Sequence, residues 1–281
     1  GDRIGAAATP PAGHHVRPRG FDFREGEMLL ERGTRMTPGR IALALAAGCG
    51  TIGVTRAVRV AILDTGDELA SDPASCAPHQ IPATNGAMLA AMLAPLGCVV
   101  TRIGPVGDDL GALSEALEAA EHADCLITSG GASVGDHDLV QEALRAWGAR
   151  LAFWRVAIKP GKPMMVATRG EQLVIGLPGN PASCFVTCFL FAVPVLRAAM
   201  GARDALPLAL PMVAGEDLPP VGNRREFLRA VQVGSALRLA GSQDSSALRS
   251  LAEADFLIER DANSPPSPAG TQVMAYPLRY G

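Results

Sequence analysis

The sequence predicts an α/β protein with a mostly parallel, doubly wound sheet and helices on both faces, followed by a small β domain. Two patterns in the chain predict this architecture. From Val58 onward, short apolar segments typical of buried strands alternate with helical segments, which is the order of a parallel sheet with crossover helices. Beyond residue 204 the helical segments stop, and short extended segments follow one another as they do in a small β-barrel.

The N-terminal part predicts one helix and little other regular structure. Residues 1–20 are rich in Gly, Pro, Arg and His and show no period, whereas residues 21–53 combine a short extended piece with the helix. Thr37 and Pro38 form a typical helix start, and Gly48 ends the helix. The chain begins with Gly-Asp-Arg rather than Met, so we expect a fragment that starts inside a domain.

The central part is predicted to alternate strands with helices, because apolar, β-branched runs are separated by longer segments that end at glycines. The predicted strands are Val58–Leu63, Val99–Ile103, Cys125–Thr128, Phe153–Ile158 and a hairpin of Met164–Ala167 with Leu173–Ile175. The predicted helices are Thr84–Leu96, Leu110–Ala120, Leu139–Trp147 and an apolar helix from Pro181 to about Met200.

The C-terminal part is predicted to begin with a linker at residues 204–216, because this stretch holds Pro207, Pro211 and Gly215. The extended segments after it are Glu226–Val233, Ala236–Leu239, Phe256–Glu259 and Thr271–Tyr276.

Composition narrows the class of protein. The 281 residues are enough for two domains or more, and the 48% of apolar residues allow a sizeable core. The net charge of -3 gives no basis for general binding to nucleic acid or to a membrane surface. The apolar stretch from Cys184 to Met200 carries Pro194 and Arg197, so we expect no membrane span.

The six cysteines form no CxxC pair, and no histidine lies at zinc-finger spacing from them. We therefore expect buried free thiols in a reducing compartment, and a cytoplasmic protein.

Two loops, each placed after a predicted strand, hold the most informative residues. The first contains Gly130, Gly131, Ser133, Asp136 and Asp138. Successive glycine N–H groups and a hydroxyl suit a phosphate, and alternating carboxylates suit a divalent cation. Loops at the carboxyl ends of parallel strands meet at the ligand-binding edge of a sheet, so this loop predicts an anion site with a metal ion.

The second loop, Lys159–Pro163, holds two ammonium groups three residues apart. The alternative is that both lysines are ordinary surface charge, but Pro160, Gly161 and Pro163 hold them in a stiff turn. Lys159 and Lys162 are therefore candidates for binding a phosphate or another oxyanion.

Other polar segments at the same predicted edge allow two interpretations each. In the loop 64–68, Asp67 and Glu68 either hold a cation or a heterocycle or form a solvated helix-capping turn. Asn85 is a ligand contact or, more simply, a helix cap. Asp108 either faces the ligand or serves the positive end of the following helix. The loop Gly176–Ser183 leads into a helix start, which is a typical place for an anion.

Six motifs in this order resemble those of the MoeA/gephyrin E-domain family, the molybdopterin molybdenumtransferases. The motifs are Asp64-Thr65-Gly66-Asp67-Glu68, Thr84-Asn85, Gly107-Asp108-Asp109, Ser129–Asp138, Lys159–Pro163 and Gly176–Ser183. The resemblance covers essentially the whole chain and is strongest between residues 58 and 200.

The resemblance implies a fold of three parts. Residues 1–54 would be a remnant of the N-terminal β and dimerisation region. Residues 55–203 would be a molybdopterin-binding, three-layer α/β/α domain, and residues 204–281 a C-terminal β-barrel. Family members carry an Asp-Gly-Tyr-Ala-type motif and a Thr-Gly-Ala-type motif before this point, and neither occurs in this chain. Phe21 stands where the family usually has an acid.

The resemblance also implies the reaction: molybdate is inserted into adenylylated molybdopterin, AMP is released, and Mg²⁺ is required. It implies a homodimer in the cytoplasm, with molybdopterin adenylyltransferase as the pathway partner. Catalytic roles fall to Asp22, Glu68, Asp108, Asp138, Lys159 and Lys162. Contacts with molybdopterin or the oxyanion fall to Thr65, Gly66, Asp67, Asn85, Gly130, Gly131, Ser133, Pro178, Gly179, Asn180, Pro181, Ser183, Arg224 and Ser245. The register at Arg224/Arg225 and Ser245/Ser246 stays open by one residue, and the Mg²⁺ ligands would be Asp108, Asp136 and Asp138.

Two other functions compete with this one. The first is a truncated or degenerate relative that binds molybdopterin or a partner protein without turnover, and the missing N-terminal motifs favour it. The related adenylyltransferases share the α/β domain, but they generally lack a C-terminal β domain, so residues 204–281 argue against that activity.

Overall fold

A computed structural model of the chain describes residue 2 and residues 11–131 and 139–278. The chain divides into two units, Gly1–Val54 and Thr55–Gly281. The first unit contains helix α1, Pro38–Ala46, with proline in its first turn as the sequence predicts.

The second unit contains a six-stranded sheet and a small barrel. Its strands are β1 (Arg59–Thr65), β2 (Leu69–Ala70), β3 (Ile81–Pro82), β4 (Val99–Val106), β5 (Cys125–Ser129), β6 (Arg150–Trp154), β7 (Ile158–Lys159), β8 (Met165–Arg169), β9 (Gln172–Leu177), β10 (Leu210–Ala214), β11 (Arg225–Val233), β12 (Ala236–Leu239), β13 (Phe256–Arg260) and β14 (Gln272–Pro277). Its helices are α2 (Asn85–Leu93), α3 (Leu110–Ala119), α4 (Leu139–Ala146), α5 (Pro181–Thr187), α6 (Val193–Ala199) and α7 (Leu248–Glu253). A 3-10 turn follows α2, and a π-helical turn joins α5 to α6.

The sheet has the strand order β4-β1-β5-β9-β8-β6. Strand β1 is parallel to β4 and β5, and β5 is parallel to β9. Strand β8 runs antiparallel to both β9 and β6. The predicted mostly parallel sheet and the predicted hairpin are confirmed.

Alternation along β1 builds three layers. Val60 and Ile62 pack against α2 and the α5–α6 helix on one face, whereas Ala61 and Leu63 pack against α3 and α4 on the other. All four side chains are at most 2% exposed. Because a strand covered on both faces buries every side chain, it has the continuous apolar run that the sequence shows.

The helix Pro181–Ala199 is long and apolar enough to cross a membrane by length and composition alone. In the structure 61% of this apolar segment is buried inside the protein. Val186 and Leu196 are at most 1% exposed and belong to the core beside the sheet. The helix is therefore packed as the core helix of an α/β domain.

The barrel is closed by five strands in the order β12-β10-β14-β13-β11, with β11 pairing back to β12. Leu228, Leu237 and Ile258 are at most 2% exposed and fill its interior. Phe227 and Leu257 belong to the core of the α/β domain, so the two cores meet. The predicted C-terminal barrel is confirmed.

The predicted strand Phe153–Ile158 is wrong in extent. Strand β6 ends at Trp154, because Arg155 adopts a left-handed backbone with φ of 91°. The chain then turns, and the Arg155 N–H donates to the carbonyl of Met164 at 2.8 Å. The next strand, β7, pairs with β11 of the barrel and not with the α/β sheet.

The predicted linker 204–216 is also wrong in part, because β10 forms within it. Pro211 has no N–H to donate, but only Val213 and Ala214 of this strand pair with β12. Proline is tolerated where one side of a strand is unpaired. The sequence pattern did not predict the short helix α7 either. The boundary between the two domains at residue 203 stays a prediction.

Candidate functional site

A cleft of about 1300 Å³ opens where β1, β5 and β9 end, and the barrel supplies part of its wall. Its polar and glycine lining residues are Asp64, Thr65, Gly66, Glu68, Thr84, Asn85, Asp108, Ser129, Gly130, Gly131, Lys159, Gly161, Lys162, Gly179, Asn180, Ser183, Arg224, Gln243, Asp244, Ser245 and Ser246. Its apolar lining residues are Leu69, Ile81, Pro82, Ala83, Leu139, Val140, Pro160, Pro163, Pro178, Pro181 and Leu248.

The structure brings most of the predicted site residues into this one cleft. They are Thr65, Gly66, Glu68, Asn85, Asp108, Gly130, Gly131, Lys159, Lys162, Pro178, Gly179, Asn180, Pro181, Ser183, Arg224 and Ser245. Three predicted residues, Ser133, Asp136 and Asp138, lie outside the described residues. Asp22 is an exposed residue of the first unit. Arg224 and not Arg225 lines the cleft, whereas Ser245 and Ser246 both do.

Asp67 is placed differently from its neighbours. It is not a lining residue, and its Oδ1 accepts a hydrogen bond from the N–H of Asp108 at 2.9 Å. Asp67 therefore holds together the two loops that carry Glu68 and Asp108.

The floor of the cleft is polar and buried. Asp64 is the penultimate residue of β1 and Ser129 the last residue of β5, and each is 2% exposed. The Asn85 amide nitrogen donates to the Ser129 hydroxyl at 2.8 Å and to the Gly179 carbonyl at 2.6 Å. Asn85 therefore ties the start of α2 to the end of β5 and to the loop after β9, and its side chain does not cap the helix.

Burial raises the pKa of Asp64, and the nearby Arg102 guanidinium opposes that rise. Arg102 Nη2 lies 4.0 Å from Asp64 Oδ2, which is a weak pairing. Among the described residues, no hydrogen-bond partner reaches Asp64 Oδ1, Thr65 Oγ1 or Asn85 Oδ1. The floor thus contains buried polar oxygens that the protein leaves unpaired, on residues that line the cleft.

Gly130 follows β5 with φ of 102°. A Cβ at this position would lie 2.6 Å from the carbonyl oxygen of Thr65, so only glycine lets the two strand ends approach so closely.

The opposite wall carries positive charge. Lys162 lines the cleft, and among the described residues it has no ion-pair partner. Lys159 is 54% exposed and contacts Glu226, with 2.6 Å between Nζ and Oε1. Arg224 donates from Nη1 to the carbonyl of Ile158 at 3.2 Å, which fixes its guanidinium beside the lysine loop.

The barrel contributes the loop 242–246, held from below by Arg229. This arginine is fully buried and donates from Nη2 to the carbonyls of Ser242 and Asp244, both at 2.9 Å. The Gln243 side chain accepts from the Arg229 N–H at 2.9 Å and donates to its carbonyl at 3.0 Å. The loop therefore has a fixed shape where it lines the cleft.

The same loop contacts the start of α5. The Ala182 N–H donates to the Ser245 carbonyl at 3.0 Å, and the Asn180 amide donates to the Ser245 hydroxyl at 2.9 Å. This first N–H of the helix is thus used within the protein. The anion contacts expected from the Gly176–Ser183 loop would have to come from other groups of that loop.

Within the described residues, no group of three His, Cys, Asp or Glu side chains is placed to hold a metal ion. Of the predicted carboxylates within the described residues, Glu68 and Asp108 line the cleft. Two carboxylates together with substrate oxygens are a usual environment for Mg²⁺.

Sequence patterns did not predict Ser129 as a ligand contact, and they did not predict Glu226, Gln243 or Arg229 at all. Ser129 directly precedes the glycine loop, so its place at the strand end was available as a signal. Glu226 and Arg229 belong to β11, whose contacts with the cleft arise only from long-range pairing.

Two protein-family models match this chain, one over the α/β domain and one over the barrel. A family model described as a probable molybdopterin binding domain matches residues 61–198, and one described as the MoeA C-terminal region (domain IV) matches residues 211–278.

The chain is 34% identical over 280 residues to "Molybdopterin molybdenumtransferase 2" of Mycobacterium tuberculosis (strain CDC 1551 / Oshkosh), which covers 96% of this chain and 68% of the relative. It is 34% identical over 253 residues to the molybdopterin molybdenumtransferase of Bacillus subtilis (strain 168), covering 88% of this chain and 58% of the relative.

A solved structure, the molybdopterin biosynthesis MoeA protein of Pyrococcus horikosii, superposes with a TM-score of 0.80 at 28% identity. That match covers 92% of this chain and 64% of the other. The fold, the cleft and these relatives agree: the chain belongs to the MoeA family of molybdopterin molybdenumtransferases.

Proposed function

We propose that this chain carries the molybdenumtransferase site that inserts molybdate into adenylylated molybdopterin with release of AMP, in a Mg²⁺-dependent reaction. The observation that carries the proposal is the polarised cleft. Lys162 and Arg224 lie on one wall, and the polar floor around Asp64 and Asn85 lies at the carboxyl ends of the strands. Such a cleft suits a substrate with a heterocycle at one end and an oxyanion at the other.

The residues act by binding and orientation. Lys162 and Arg224 attract molybdate or the substrate phosphate, and Ser245 offers its hydroxyl group to the same anion. The Ser246 hydroxyl instead donates to Asp244 Oδ1 at 2.6 Å. Gly130 and Gly131 pack closely against Thr65 and Val140. The Gly130 N–H donates to the Leu177 carbonyl at 3.2 Å, so the Gly131 N–H is the candidate for the substrate phosphate. Asn85 holds the end of β5 to the loop after β9 beneath the ligand.

Mg²⁺, when bound, would neutralise phosphate charge and help AMP to leave. Glu68 and Asp108 would hold it together with substrate oxygens, and Asp136 and Asp138 are further proposed ligands. Asp22 and Ser133 are proposed to contribute as the family resemblance implies.

The proposed cellular setting is a cytoplasmic homodimer. Molybdopterin adenylyltransferase would supply the adenylylated substrate.

Lys162→Ala tests the proposal. A charge-assisted contact with an anion is worth about 1.5–3 kcal/mol, so molybdate affinity should fall about 10- to 100-fold. Stability should change by no more than about 0.5 kcal/mol, because Lys162 has no ion-pair partner among the described residues. The measurements are calorimetric titration with molybdate and formation of molybdenum cofactor from adenylylated molybdopterin.

Arg238→Ala is the matched control, because Arg238 is an exposed cation of the barrel outside the cleft. It should bind and react like the original protein. Binding of molybdopterin without any turnover would favour the non-catalytic alternative. Failure to bind either substrate would overturn the proposed function.

A further inference from the structure

We propose that the Glu226 carboxylate forms an ion pair with Lys159 until an anionic ligand binds, and that this ion pair lowers the affinity of the cleft for oxyanions. This inference rests on the proposed function, because it concerns the same anion site. It assigns unequal roles to two lysines that look equivalent in the sequence.

The junction between β7 and β11 brings the two charges together. Lys159 and Glu226 are direct partners in the parallel register of these strands. The Arg225 N–H donates to the Ala157 carbonyl at 3.0 Å, so the backbone pairing extends one residue further. The contact between Lys159 Nζ and Glu226 Oε1, at 2.6 Å, is therefore held by backbone geometry and not by a flexible encounter.

The two partners differ in burial. The Glu226 side chain is only 7% exposed and is not a lining residue, whereas Lys159 is 54% exposed and lines the cleft. A buried carboxylate must keep a cation close, because an unpaired buried charge is costly. Lys159 thus presents part of its ammonium to the cleft while its charge is already balanced.

The arginines next to Glu226 interact with other partners, so Glu226 remains the ion-pair partner of Lys159. Arg225, beside it in the sequence, is occupied by Glu259 at 3.1 Å and by Asp261 at 3.0 Å. Arg260, opposite Glu226 on β13, donates to the Pro265 carbonyl. Lys162 has no ion-pair partner among the described residues. Net positive charge on this wall therefore comes from Lys162 and Arg224.

The consequence is a simple balance of charges. Lys162 and Arg224 attract an incoming oxyanion with their full charge. The attraction of the oxyanion to Lys159 is partly offset by its repulsion from the Glu226 carboxylate. Removing the carboxylate should tighten anion binding. Removing the lysine alone should expose the carboxylate to the ligand and weaken binding strongly, and removing both charges should restore it.

The experiment is calorimetric titration of the full chain with inorganic molybdate at low salt. Glu226→Gln should bind molybdate about 5- to 20-fold more tightly, because a unit negative charge several ångströms from a divalent anion is lost. Lys159→Met should bind at least about tenfold more weakly. The double variant Lys159→Met with Glu226→Gln should return to within about threefold of the original affinity.

Glu259→Gln is the matched control, because Glu259 is also a barrel carboxylate paired with an arginine, Arg225, that does not line the cleft. It should leave molybdate affinity unchanged. The double variant removes both charges of the pair, so the buried carboxylate is not left without its cation, and it serves even where Glu226→Gln folds poorly.

The inference is overturned if Glu226→Gln binds molybdate no better than the original chain, or if the double variant binds as weakly as Lys159→Met. Either result, alongside normal binding by the original chain, leaves the proposed function intact. If the original chain neither forms molybdenum cofactor nor binds any oxyanion, the proposed function is overturned instead.

Discussion

Gly161 lies in the lysine loop at a position where a single methyl group tests the packing between that loop and the helix behind it. Its φ is 108°, a conformation that residues with a Cβ rarely adopt. A Cβ would also lie 2.5 Å from Thr187 Cγ2. Thr187 is fully buried, and its hydroxyl donates to the Ser183 carbonyl at 2.7 Å, so its methyl group has no free rotamer to retreat into.

Gly161→Ala should therefore destabilise the protein by two separate effects. Backbone strain at such a φ costs about 1–3 kcal/mol. Overpacking against a buried methyl group costs about another 1–3 kcal/mol. The sum is a loss of about 2–6 kcal/mol of unfolding free energy, measured by urea denaturation. Because the strain moves Lys162, molybdate binding should weaken as well.

Two further variants separate the effects. Gly170 has φ of 57° and open space around its missing Cβ, so Gly170→Ala should show strain alone, about 1–2 kcal/mol. Thr187→Ser keeps the hydroxyl and removes the methyl group. In the Gly161→Ala background it should recover about 1–3 kcal/mol. No recovery would refute the steric part of the argument, and so would equal losses for Gly161→Ala and Gly170→Ala. The absence of a loss in both variants would refute the strain part.

Two predictions concern titratable groups. The hydrogen bonds and charge of Arg56, with those of Arg59, hold the pKa of Asp124 well below its usual range. The Asp124 carboxylate therefore stabilises the folded protein above the unfolded pKa of about 4, and this stabilisation is lost as pH falls. The stability difference between the original chain and Asp124→Asn should be constant from pH 5 to 8 and should shrink below about pH 4; a difference that grows on acidification would contradict this. Burial raises the pKa of the Cys125 and Cys184 thiols to about 12, whereas Cys49 is exposed. A thiol reagent at about pH 8 should therefore modify Cys49 in the native protein, and Cys125 and Cys184 only after unfolding. Peptide mapping decides it, and rapid native modification of Cys184 would show that the core opens.

Local patterns were sufficient to predict most of the α/β domain. The apolar runs at β1 and β5 are buried on both faces, and the glycine at position 97, with φ of 78°, ends the α2 segment as expected. The break at Arg155 was not predictable from composition, because an arginine in a left-handed conformation carries no local signal. It depends on the contact with Met164 that closes the loop.

Local sequence patterns likewise predict one part of the candidate site and not the other. Loops that follow strands, such as Gly130-Gly131 and Asp64–Glu68, were predictable from their place in the alternation. The barrel side was not predictable from spacing, because Arg229 and Gln243 act through hydrogen bonds that link segments 14 residues apart. Glu226 meets Lys159 only because a strand next to the lysine loop pairs with the barrel.

That short strand has a consequence for the modularity of the protein. Strand β7 lies within the chain segment of the α/β domain, yet it completes the edge of β11 in the barrel, and Phe227 of the barrel lies in the neighbouring core. The two domains are interleaved and not joined end to end. A chimaera that exchanges the barrel between relatives must therefore exchange residues 158–159 as well, or it will leave one strand edge unpaired and one lysine without its carboxylate.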